Sequence, residues 1–234
     1  MTAKSIGGEA IITPVMPPLT NTRMNPTAML MALGFILVFV NGGITGVMIA
    51  SPPIDFAVND TYFIVSHFHY IMVGGLLFGM FAGIFFWFPK FTGRLLSERL
   101  GRWQFWSFLV GFNLTFFPQY LVGLDGMPRR IADYQIERWE PANMASTIGA
   151  VLTGVSVVFF LWNFLVSIRR GAPAGDDPWE GNSLEWVTTS PPPHHNFHHL
   201  PDIRSERPAF DWRHRGDPAF AAADTDPVRN PDRG

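Results

Sequence analysis

Two histidines, His67 and His69, stand inside the longest uncharged run of the chain, from Thr61 to Pro89. A run of that length predicts a membrane-spanning helix. Hydrocarbon cannot solvate an ionisable side chain, so each histidine there is a candidate functional group. Each helical residue advances by about 100°, so positions two apart point about 200° apart. The spacing therefore turns His67 and His69 toward nearly opposite sides of one helix. Such a pair suits two separate partners better than one chelated ion. Imidazole is an axial ligand of haem iron, and ligation is favoured over plain bonding between helices.

Arg129 and Arg130 follow Gly126-Met127-Pro128 in a loop that also carries Asp125, Asp133, Glu137 and Glu140. Two readings stay open for them at this level. They pair with the loop acids, or they recognise anions at the membrane edge, where the planar arginine fork binds carboxylates bidentately. Asp60 precedes the His67/His69 helix and is read first as a cap of its start. With Asn59 it can also offer oxygen to a hard cation such as Mg2+. His194, His195, His198 and His199 cluster after Pro191-Pro192-Pro193. The prolines and polar surroundings argue against a helical metal site there.

These groups need elements to hold them. Of the 234 residues, 47% are hydrophobic and 15% charged, whereas about a quarter is usual for charged residues in a soluble domain. The apolar residues are clustered. Uncharged runs at Met29–Ala50, Thr61 to about Phe88, Trp103–Leu124 and Ala145–Ile168 predict four spans. The fold class is an all-α membrane protein with a mostly irregular C-terminal tail. Residues 1–28 form a polar, proline-punctuated lead-in, 29–168 the four-helix transmembrane region, and 169–234 a proline- and charge-rich tail with no sustained apolar period. Asn41, Gly42, Gly43 and Gly46 interrupt the first span, and small residues in spans usually serve close packing. Pro118 is expected to kink or end the third span. No cleavable signal peptide is visible at the start.

The net charge of −2 gives no argument for a nucleic-acid partner. The absence of cysteine excludes disulfides, thiolate metal sites and cysteine nucleophiles. The loop from Lys90 to Arg102 holds Lys90, Arg94, Arg99 and Arg102 against Glu98 alone, and Arg169-Arg170 close the fourth span. The positive-inside rule makes both cytoplasmic. Both termini are then cytoplasmic as well, and the Ser51–Asp60 and Asp125–Met144 loops share the outer face. The start of the histidine helix thus lies on the same side as Arg129 and Arg130.

At this point the chain resembles subunit I of the haem–copper oxidases, in the cytochrome c oxidase branch. The residues carrying the likeness are Gly42-Gly43-Ile44-Thr45-Gly46-Val47, Asp60-Thr61-Tyr62-Phe63 and Ser66-His67-Phe68-His69-Tyr70. They continue with Trp87-Phe88-Pro89, Phe91-Thr92-Gly93, Asn113 through Gln119 and Gly126-Met127-Pro128-Arg129-Arg130. The tail phrase from Ser190 to Phe197 is similar to bacterial members. The resemblance implies that His67 ligates the high-spin haem at the oxygen site and His69 the low-spin haem, both haems being A-type. It implies that Arg129 and Arg130 bind haem propionates and that Asp60 belongs to a Mg2+ site. Asn59 stands where the family has a histidine ligand of that magnesium, and Tyr120 where a histidine commonly follows Phe-Pro-Gln.

The resemblance covers the last four of about twelve spans. It places the copper-ligating histidines, and the second ligand of the low-spin haem, outside this chain. Either another polypeptide supplies the remainder or the chain is a truncated product. The function so implied is that of the C-terminal part of the catalytic subunit of a respiratory cytochrome c oxidase, a proton-translocating oxidoreductase inactive by itself. The partners implied are the rest of subunit I, subunits II and III, cytochrome c and the lipid bilayer of a bacterial plasma membrane. The alternatives are a quinol oxidase of the same superfamily and a truncated, non-catalytic haem-binding or assembly protein.

Overall fold

Four long helices organise the chain, and proline and asparagine start the first of them. In the computed structural model, which describes residues 24–134, 136–197, 203 and 205–215, helix α1 runs Pro26–Ile49. Its N-cap is Asn25, whose side chain accepts the Ala28 N–H at 2.8 Å. A short helix α2, Pro52–Val58, follows. The second long helix is built in three parts: α3 at Tyr62–Phe68, a π-helical turn at His69–Gly74, and α4 at Gly75–Thr92. Helices α5, Glu98–Leu124, and α6, Glu140–Arg170, complete the set, and α7, Pro208–Arg215, lies in the tail. Four helical stretches among the described residues are long and apolar enough to cross a membrane: Pro26–Ile49, Tyr62–Thr92, Glu98–Leu124 and Glu137–Arg170. The chain is therefore an all-α integral membrane protein. The lead-in expected over 1–28 lies mostly outside the described residues, as do His198, His199 and the last stretch of the tail from 216 onward.

Helix α5 packs along α6, α1 along α4, and α3 against α5. Phenylalanine fills the space between them. Phe78, Phe81, Phe85, Phe88, Phe105, Phe108 and Phe112 are all buried. Their rings meet edge-on or tilted, as Phe78 does Phe108 at 4.7 Å between centroids, the arrangement that the ring quadrupole favours. Only 22% of the spanning windows of α1 and of α6 is buried within the chain. Their outer faces therefore require lipid or further protein.

Pro118, expected to kink or end the third span, does not end it, and Pro89 also lies inside a helix. Helix α5 continues past Pro118 to Leu124, and α4 passes Pro89 to end at Gly93, whose φ is 68°. A proline removes the N–H that would bond the carbonyl four residues back. For Pro89 that carbonyl is Phe85 O, and the Asn25 side-chain amide donates to it at 3.2 Å. Trp179 Nε1 likewise donates to Phe86 O at 2.9 Å. Re-satisfaction by neighbours is what lets a membrane helix keep its proline.

Helix α3 approaches α5 closely at Gly123. A Cβ there would stand 2.7 Å from Phe63 Cα and nearer still to Phe63 N, both backbone atoms that cannot rotate away. Gly123→Ala is therefore expected to destabilise the bundle by about 1–3 kcal/mol through overpacking. Thermal unfolding of the detergent-solubilised complex measures it, and an unchanged midpoint would refute the close approach.

The tail differs from an extended one. It is irregular in backbone, yet residues 171–197 fold back over the helix ends. Leu95 N–H donates to Ala172 O at 2.8 Å, Ala174 N–H to Gly93 O at 3.0 Å, and Arg94 Nη1 to Gly171 O at 2.9 Å. Trp186 is buried and meets Phe86 edge-on at 5.2 Å. Composition hid this, because the tail needs few apolar residues when the bundle supplies the surface they bury.

Arg213 of α7 pairs with Asp177 and donates to Glu180 O and Gly181 O at 2.8 Å each. Burial pushes the Asp177 carboxyl above its ordinary range, outweighing the Gly181 N–H, Arg213 and Lys90, which favour the anion. A raised folded-state pKa gives stability that is complete below the unfolded pKa and lost as pH rises through the folded one. Protection of α7 in hydrogen exchange, corrected for intrinsic rates, is thus expected to decline from acidic toward neutral pH. Rising protection over that window would contradict it.

Candidate functional site

The histidine helix begins where two loops are stitched together. Thr61, not Asp60, caps α3: its hydroxyl accepts the Phe63 N–H at 3.2 Å. The expected capping role of Asp60 is thereby corrected. Asp60 has a left-handed backbone, φ 59°, and Arg130 another, φ 64°. These bends let the loops run side by side. Arg129 N–H donates to Asp60 O at 2.8 Å, Tyr62 N–H donates to Met127 O at 3.0 Å, and Thr61 and Pro128 form an antiparallel bridge. The Asp60 carboxylate forms an ion pair with the Arg129 guanidinium. Asp125, the loop's own acid, instead takes Arg138 at 2.5 Å and the Trp139 indole N–H at 2.5 Å. Arg130 is exposed and makes no ion pair among the described residues.

Further along the same helix, His67 lies in the last turn of α3 and His69 opens the π turn. Single π turns inside α-helices recur at functional sites because they re-aim side chains. The two rings have different surroundings. The Nδ1 edge of His67 faces α1, 3.0 Å from Gly42 O and 3.1 Å from Thr45 Oγ1. Gly46 gives the ring room, since a Cβ there would sit 3.0 Å from His67 Cε1. The His69 ring stacks on Phe116 of α5 at 4.2 Å, with its Nδ1 2.7 Å from Val65 O. Phe68 stacks on His69 at 4.6 Å.

Backbone carbonyls only accept, so the carbonyl beside each Nδ1 selects the tautomer with hydrogen on Nδ1. Each Nε2 then keeps its lone pair, and no hydrogen bond among the described residues engages either one. That is the state of a metal-ligating imidazole, whose other nitrogen donates to a carbonyl that fixes the ring. The donor set fits axial ligation of two separate metal centres, such as haem irons. It does not fit a chelated ion: no group of three His, Asp, Glu or Cys side chains able to hold one exists among the described residues. The same observation bears on magnesium. Asp60 is committed to Arg129, and Asn59 is exposed beside it.

The histidines and arginines stand out in the sequence, whereas the groups that touch them do not. Gly42, Thr45 and Gly46 were visible as small residues, and their i, i+3, i+4 spacing placed them on one face of α1. Nothing in the chain indicated that a ring from another helix would lie on that face. Phe116 carried no signal apart from its neighbours.

Four spans, two histidines on one of them with Nδ1 against backbone carbonyls, and an arginine pair in the loop paired to its start describe an all-α membrane protein with a candidate ligating site. The family model for cytochrome c and quinol oxidase polypeptide I matches residues 18–152. The chain is 56% identical over 188 residues to a probable cytochrome c oxidase subunit 1-beta of Nocardia farcinica, covering 79% of this chain and 32% of that protein. It is 54% identical over 188 residues to cytochrome c oxidase subunit 1 of Corynebacterium diphtheriae, covering 79% and 33%. It is 52% identical over 201 residues to a probable subunit 1-alpha of Streptomyces avermitilis, covering 85% and 34%. A solved haem–copper terminal oxidase dimer shares the fold, with TM-score 0.56 and 21% identity over 62% of this chain and 27% of that one.

The chain belongs to the subunit I family of the haem–copper oxidases. Membership implies haem and copper as the family's cofactors and an oxidoreductase role within an oxidase complex. The chain spans about a third of the length of the curated relatives it matches.

Proposed function

We propose that this chain is the C-terminal part of the catalytic subunit of a respiratory cytochrome c oxidase and that it holds both haems from one helix. The observation that carries the reading is the pair of imidazoles, each with Nδ1 against a backbone carbonyl and Nε2 unengaged, set against different neighbouring helices. His67, on the α1 side, is the axial ligand of the high-spin haem. His69, stacked against α5, is that of the low-spin haem. When bound, A-type haems together with copper from outside this chain supply the electron transfer and oxygen reduction.

The chain's own residues orient and enclose. Gly42 O and Val65 O hold the two rings in one tautomer. Phe68 and Phe116 stack on the His69 ring and fix its orientation. Arg129 is ion-paired to Asp60, just before the start of α3, and Arg130 follows it in the same loop. On this reading their guanidinium forks bind the haem propionates. Asp60 orients Arg129 for that contact. The charge bias puts both termini and the basic stretch Lys90–Arg102, where α4 gives way to α5, on the cytoplasmic side. The outer faces of α1 and α6 then meet the rest of subunit I, subunits II and III or lipid, and cytochrome c donates electrons to the complex.

Purification of the native complex from membranes in mild detergent tests this reading. Peptide identification is expected to find this chain together with the remaining spans of subunit I. Reduced-minus-oxidised spectra are expected to show A-type haem, with oxygen uptake. Recovery of the chain alone and without haem would sink it.

A further inference from the structure

We propose that Thr45 and Tyr120 are positioning residues for His67, a buried pair of hydroxyls that sets the strength of the hydrogen bond at its Nδ1 and so the electron donation of its Nε2. The inference rests on the reading of His67 as a haem ligand.

Thr45 of α1 and Tyr120 of α5 are 7% and 5% exposed, so water does not compete for their hydroxyls. Thr45 Oγ1 lies 2.9 Å from Gly42 O, 3.1 Å from His67 Nδ1 and 3.0 Å from Tyr120 Oη. It is also 3.2 Å from Asn41 O. A hydroxyl has one hydrogen and two lone pairs, and the four neighbours exhaust its choices. The carbonyls of Gly42 and Asn41 can only accept, so the threonine hydrogen goes to them. A ligating His67 keeps its hydrogen on Nδ1 and donates it, shared between Gly42 O at 3.0 Å and Thr45 Oγ1. The threonine hydrogen being used, Tyr120 engages Oγ1 only as a donor, its hydrogen shared between Oγ1 and the neighbouring Ser66 hydroxyl.

One oxygen thus receives two donors, the tyrosine and the histidine. Two donors on one acceptor weaken each other, because each draws on the same electron density. Neighbouring hydrogen bonds in a low dielectric polarise one another. Removing the tyrosine hydroxyl strengthens the Nδ1–H bond to Thr45. That gives the ring more imidazolate character and makes Nε2 a stronger donor to iron, the lever by which outer groups tune a metal.

The alternative is that Tyr120 only packs. Its ring stacks on Tyr70 at 5.5 Å and meets Phe63 edge-on at 4.9 Å. Tyr120→Phe keeps the ring and removes the hydroxyl alone. In the complete oxidase isolated from membranes, Tyr120→Phe is expected to raise the iron–histidine stretching frequency of the high-spin haem in resonance Raman spectra and to lower its midpoint potential. Both shifts are expected to vanish in a Thr45→Val background, where the link is cut, and to persist in Thr45→Ser. An unchanged frequency and potential in Tyr120→Phe, or equal shifts with and without the Thr45 hydroxyl, overturns the proposal and leaves the ligand reading standing. Persistence of the iron–histidine band in His67→Ala overturns both. If Tyr120→Phe does not assemble, Thr45→Val against Thr45→Ser decides: the valine variant alone must shift the band, and equal bands overturn the relay.

Discussion

His67→Ala and His69→Ala are expected to disturb different haems in the assembled oxidase. The His67 variant should lose the signature of the high-spin, oxygen-binding haem and keep low-spin absorbance. The His69 variant should do the reverse. Oxygen uptake should fall by at least about 100-fold in each, since losing even an outer partner of a metal ligand costs about 10–100-fold. The expectation follows from position. His67 is held by Gly42 O of α1, whereas His69 is held by its own helix and lies flat on Phe116 of α5. Truncating one ring opens one side of the helix and leaves the other seated. Spectra of the two purified variants check it. Loss of the same haem in both would place the histidines on one partner and defeat the assignment.

Lys90→Met is expected to release the tail from the helix ends. Lys90 is 4% exposed, and its ammonium donates to Asp176 O at 2.9 Å and Thr188 O at 2.8 Å, with the Trp186 ring 5.2 Å away. Hydrogen bonds to a charged group contribute about 1.5–3 kcal/mol each. Relief from burying an ammonium offsets part of the loss. A net cost of about 2–4 kcal/mol remains, as Thr188 O and Thr189 O lose the lysine donor and Asp176 O keeps only Ser190 Oγ. Methionine keeps the apolar stem, so the spans themselves should hold. Limited proteolysis is expected to cut the variant within 172–197 under conditions that leave the parent intact, while the four spans stay protected. Equal resistance would show that the tail is held by Trp186 and Arg94 without the lysine.

Much of this was legible in the chain, for a reason specific to membranes. Hydrocarbon forces every backbone polar group to be satisfied within a helix, so uncharged runs report spans directly. The same penalty makes His67 and His69 stand out. Helical spacing then separates them without any tertiary information. The ends of the helices were less legible. Pro118 was expected to kink or end its span, but whether a proline ends a helix depends on who bonds the freed carbonyl. For Pro89 that is Asn25, 60 residues away from Phe85 in sequence.

What the sequence determined by itself was therefore local or periodic: four spans, two imidazoles on opposite sides of one, a basic loop, and an arginine pair beyond a Gly-Met-Pro turn. The tertiary structure alone decided what those groups touch. It paired Arg129 with Asp60 across two loops, widened the helix into a π turn at His69, and gave the tail a bundle end to cover. It also put the Thr45 hydroxyl beside a histidine nitrogen, and the Tyr120 hydroxyl, from another helix, beside that of Thr45. Such contacts depend on which faces of separate helices meet, and neither period nor composition encodes that.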